Sequence, residues 1–175
     1  MVLLIVGRQE CYEGSEVIDS SAVRSFMTES FLLYVVDEDA LPSELDALSD
    51  EEKYDVLVAA VESDGMLHSS IEMTVDDFVD AVETLDKHFG GEQFLPICAM
   101  NNSPYDVLGR NSECPFFGYF SPGDVQRTFS ALDSLDEEIL DTIESCETHS
   151  EVFHALHSAT MEAVETGSAV AIVHG

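Results

Sequence analysis

Thirty-six acidic side chains against six basic ones leave the 175-residue chain with a formal net charge of −30. That excess narrows the folds open to it, because an ionised carboxylate can be buried only when it is paired and hydrogen-bonded. Nearly every acid must face water, so the core has to come from apolar stripes with the acids on their outer faces. The chain has the material for this: 45% of residues are hydrophobic, ten Phe among them. A disordered acidic tail lacks such content. The expectation is a folded acidic globule of one domain spanning residues 1–175, a length that buries roughly 70% of the unfolded surface.

The pattern along the chain supports that reading. Met1–Gly7 is apolar but lacks a basic leader and a cleavage site, so residues 2–6 read as a strand rather than a signal peptide. A helix is expected from Ser20 or Ser21. Phe31–Val36 is a continuous apolar, β-branched and aromatic run that fits a strand or a buried helix end equally well. Ser49-Asp-Glu-Glu52 is a capping box, with Tyr54, Leu57, Val58 and Val61 at helical spacing behind it and Asp64-Gly65 as the stop.

Thr74 opens the strongest helix. There Val75, Phe78, Val79, Val82, Leu85 and Phe89 form one stripe, opposite Asp76, Asp77, Asp80 and Glu83, and Gly90-Gly91 ends it. Phe94–Met100 and Phe116–Phe120 read as strands, the first interrupted by Pro96 and so at an edge. Ser121-Pro122 starts a further helix and Ser134 the next. Thr148 or Ser150 starts the last, which Gly167 closes before a strand over Ser168–Val173. The fold class is therefore α+β, with several amphipathic helices on a small mixed or antiparallel sheet that includes the N- and C-terminal strands.

The carboxyl half resembles the YfbM-like family of bacterial proteins. The resemblance rests on Tyr119-Phe-Ser-Pro122 leading into a helix, on Ala131-Leu-Asp-Ser-Leu-Asp-Glu-Glu138, and on the closing Gly167-Ser-Ala-Val-Ala-Ile-Val-His-Gly175 strand. Ser103-Pro-Tyr-Asp-Val-Leu-Gly109 is similar to that family's Pro–Leu–x–x–Val–Leu–Gly segment, and Thr74–Gly91 occupies the position of a family helix. It covers about residues 70–175. Since that family is of unknown function, the resemblance implies a fold and no active site.

Chemistry-bearing motifs are few. Cys11, Cys98, Cys114 and Cys146 form no CxxC pair and read as reduced, mostly buried thiols of a cytoplasmic protein. Neither a nucleophile elbow nor a phosphate-binding glycine motif is present. Glu151, His154 and His157 lie one turn apart and are the candidate metal ligands, although His154 points away from the apolar face and His157 borders it. A solvated helix edge is the plainer reading, and no cofactor is implied. Asp86 breaks the apolar stripe of its helix and is expected to reach a cap or loop amide. No run is long enough to span a membrane.

The sequence thus leans away from an enzyme and toward a binding protein, with two accounts of the charge. The acids could serve an inhibitor or immunity-type protein that engages a basic protein partner or mimics nucleic acid. Such a protein would not itself bind nucleic acid, and its docking residues would be Asp76, Asp77, Asp80, Glu83, Asp136, Glu137, Glu138, Asp141 and Glu144. Alternatively the charge is solvation in a YfbM-like protein from a salt-adapted organism, since molar salt shortens the Debye length to about 3 Å and makes such repulsion tolerable.

Overall fold

The computed structural model describes residues 28–89, 105 and 116–175. The ambiguous run around Phe31 is a strand, β1 (Glu29–Val36). It is flanked by β2 (Met66–Met73) and by β4 (Ala169–His174), which in turn pairs with β3 (Phe117–Phe120). The order is β2-β1-β4-β3 and every pairing is antiparallel. Alternation along β1 explains why an unbroken apolar run makes a strand here. Phe31, Leu33 and Val35 enter one core, while Tyr34 and Val36 enter another on the opposite face. Both faces of the sheet are covered, as are all six residues of β4, and strands covered on both faces carry no polar alternation.

One face is covered by α1 (Asp50–Asp64), together with a short 3₁₀ turn, Glu38–Ala40, and Leu41 and Leu45. The capping box forms as expected. The Ser49 amide donates to Glu52 Oε2 at 2.8 Å, and the Glu52 amide donates to Ser49 Oγ at 3.3 Å. Leu57 and Val61 are fully buried, with Tyr54 and Val58 packed beside them.

Among the described residues four helices cover the other face: α2 (Val75–His88), α3 (Pro122–Asp133), α4 (Glu137–Glu144) and α5 (Glu147–Thr166). The 20-residue α5 lies at the centre of this layer, touching α2, α3, α4 and the strands β1, β2 and β4. Thr74 and Ser121 cap α2 and α3, accepting the amides of Asp77 and Asp124. Pro122 occupies the first turn of α3, where a missing N–H costs nothing.

The fold class is α+β, with helices on an antiparallel sheet that includes the C-terminal strand. Several details differ from expectation. Val79 is 45% exposed rather than part of the stripe on α2, where Phe78, Ala81, Val82 and Leu85 make the buried face. The small Ala81, rather than Val79, completes the stripe with Phe78, Val82 and Leu85. α4 is capped by Asp136 rather than Ser134, because the Asp136 carboxylate accepts the Ile139 amide at 2.9 Å. α5 begins at Glu147, ahead of both expected starts, with Cys146 at its cap. β2 has no counterpart among the expected elements. The expected strands at 2–6 and 94–100, the helix from Ser20 or Ser21 and the Gly90-Gly91 stop lie outside the described residues.

Candidate functional site

Lys53, Lys87 and Arg127 are the Lys and Arg side chains among the described residues, and the contacts with acids between helices come from histidines. Three of them lie on α5, and each reaches a different neighbour. His149 Nε2 is 2.8 Å from Asp80 Oδ2 on α2, His154 Nε2 is 3.8 Å from Glu144 Oε1 on α4, and His157 Nε2 is 3.7 Å from Asp133 Oδ1 at the end of α3. Only the His149 contact has hydrogen-bond geometry.

This arrangement disposes of the candidate metal ligands separately. The His157 ring stacks on Phe153 at 5.8 Å and tilts against Phe129 at 5.5 Å, whereas His154 meets Phe153 edge-on. Glu151 is exposed to solvent. Among the described residues no group of three or more His, Cys, Asp or Glu side chains is placed to hold a metal ion.

The candidate docking acids divide into two kinds. Asp77 accepts the Thr74 hydroxyl at 2.7 Å, Asp80 is engaged by His149, Asp136 caps α4, and Glu144 faces His154. Asp76, Glu83, Glu137, Glu138 and Asp141 stand exposed on the outer faces of α2 and α4. The opposite layer carries its own exposed acids, among them Glu51, Asp55, Glu62 and Asp64 on α1. The charge therefore covers both outer layers rather than one face. Asp86 is buried at 7% exposure, as its place in the stripe of α2 suggested.

A second cluster was not legible in the sequence. His174 is buried at the end of β4, where its Nε2 contacts the Glu29 carboxylate of β1. Its ring stacks on Phe31 at 4.9 Å, Phe31 stacks on Phe78 at 4.0 Å, and Phe116 tilts against all three rings. The His174 carbonyl accepts the Tyr54 hydroxyl at 2.9 Å, while its Nδ1 is buried without a partner among the described residues. Glu29 lies 145 residues from His174, and no local spacing announces such a pair.

Burial governs the phenols. Tyr119 is pushed far above the ordinary phenol range, first by burial and then by donating its hydroxyl to Glu38 at 2.6 Å. Burial likewise raises Tyr54, helped by Asp55 and Glu62, and Tyr34, helped by Glu62. Cys146 shifts the other way: the Thr148 hydroxyl, 3.3 Å away, and the amides of the first turn of α5 hold its thiol below the usual range. The Ser49 amide lowers Glu52. Among the described residues no helix is long and apolar enough to cross a membrane. No protein-family model, curated protein or solved structure matches the chain.

Proposed function

We propose that the chain is a non-enzymatic acidic protein of concentrated salt solution, working in the cytoplasm, whose carboxylate coat serves solvation. The observation that carries this reading is the spread of exposed acids over both outer layers. A docking face would concentrate the charge on one side. Instead, α1 on one layer is as acidic as α2 and α4 on the other. Four of the acids best placed for docking (Asp77, Asp80, Asp136 and Glu144) are already turned toward caps and histidines. The resemblance of about residues 70–175 to the YfbM-like proteins belongs to the same proposal and assigns no catalytic residue.

The competing reading, a basic partner steered by the long-range field, is separated by one experiment. Thermal melts are recorded from about 0.1 M to about 3 M KCl, spanning Debye lengths from about 10 Å to below 3 Å. A basic nuclease is then offered at the lowest salt at which the chain is folded. Under the proposal Tm climbs steeply with salt and the nuclease is not retained. A chain fully folded at about 0.1 M that captures the nuclease would overturn it.

A further inference from the structure

Where α2 ends, α3 ends and α4 begins, the helical layer leaves a cleft of about 290 Å³, close to the lower limit of small-molecule sites. Phe89, Ala131, Leu135 and Ile139 supply its apolar wall, and His88, Ser134 and Asp136 its polar groups. From these residues we infer a binding site for a small organic ammonium ion with an apolar body, such as an arylalkylamine.

Three features select the cation. First, the C-termini of α2 at His88 and of α3 at Asp133 border the cleft. Lys87 stands in the last turn of α2, while the last turn of α3 has no basic residue and brings the negative end of its dipole to the site. The N-terminus of α4, which also borders the cleft, is already offset by the Asp136 carboxylate, whose Oδ1 accepts the Ile139 amide at 2.9 Å. Second, Asp136 Oδ2 and the His88 imidazole have no hydrogen-bond partner among the described residues, so an ammonium N–H can donate to either. Third, among the described residues the cleft is lined by no Lys or Arg side chain, so no fixed cation of these residues competes with an ammonium there. The apolar wall then selects a cation with a hydrocarbon body over a bare hydrated ion, because apolar area is what that wall removes from water.

The site is independent of why the surface is acidic, so it is tested in salt that keeps the chain folded. Phenethylammonium is titrated while the His88 imidazole resonances are followed by NMR, with 2-phenylethanol as the neutral isostere and tetramethylammonium as a cation without N–H donors. The expected result is a saturable His88 shift with phenethylammonium and binding about tenfold weaker for both comparators, a difference of about 1.4 kcal/mol. Asp136→Asn keeps a good helix cap and is expected to weaken phenethylammonium about tenfold while leaving 2-phenylethanol unchanged. His88→Gln, which leaves the cap untouched, serves as the second variant and is expected to weaken phenethylammonium several-fold, followed through the Ile139 amide. A shift that never saturates, equal binding of the alcohol, or unchanged affinity in both folded variants would overturn the site.

Discussion

Two buried hydroxyls show how differently a polar atom can sit in this core. Thr128 on α3 is fully buried, and its Oγ1 has no partner among the described residues. A helical threonine normally turns its hydroxyl to a carbonyl in the preceding turn, as Thr160 does toward Leu156 at 2.7 Å. Leaving a buried hydroxyl unpaired forfeits its hydration with nothing in return, so Thr128→Val should raise unfolding stability by about 1 kcal/mol in urea titration. Tyr119 is the opposite case, its hydroxyl anchored on Glu38. With its folded pKa raised above the unfolded value of about 10, the protonated phenol's contribution is complete below that value and is lost as pH rises beyond it. Stability should therefore fall on the alkaline side of about pH 10. Tyr119→Phe should lower neutral-pH stability by about 1 kcal/mol and flatten that alkaline limb, both readable in melts across pH.

At the scale of elements, most signals that decide the fold are local. Ser49, Thr74 and Ser121 start their helices where the sequence places them, because a cap is a contact between residues three apart. Gly167 is equally local: it ends α5 at φ 71°, and the Ser168 amide returns to the Ala163 carbonyl at 2.8 Å. A Cβ added at Gly167 would meet nothing within 4 Å, so the cost of Gly167→Ala is conformational. It should be about 1–2 kcal/mol, the left-handed penalty for a residue with a Cβ, and Gly167→Asn should recover part of it in the same urea assay. What escaped the sequence depends on partners far along the chain. β2 has buried side chains at Ile71 and Met73 while Met66 and Leu67 stand half exposed, so its outline is weak. It is a strand because it lies against β1, with a register irregularity beside Leu33 and Tyr34. The His174–Glu29 contact is of the same kind, set by tertiary packing between residues 145 apart.

Across the whole molecule the balance is between a well-packed three-layer interior and a surface of like charge. Both sides of the sheet are sealed by apolar clusters, so folding is driven as in any domain of this size. The cost falls on the outside, where exposed carboxylates face one another with few cations between them, and it depends on screening. Removing acids that serve no cap and no histidine should lessen that cost without touching the fold. Glu83, Asp141, Glu151 and Glu165 meet this description: all are exposed, and none lies in the first turn of its helix, where a carboxylate favours the dipole. A variant with Glu83→Gln, Asp141→Asn, Glu151→Gln and Glu165→Gln should gain about 1 kcal/mol in total at the low-salt end, a few tenths for each relieved repulsion. Toward about 3 M KCl the two stability curves should converge, because screening has by then removed the repulsion that the substitutions relieve. Parallel curves would mean that these carboxylates do not set the salt response, and the coat would need another explanation.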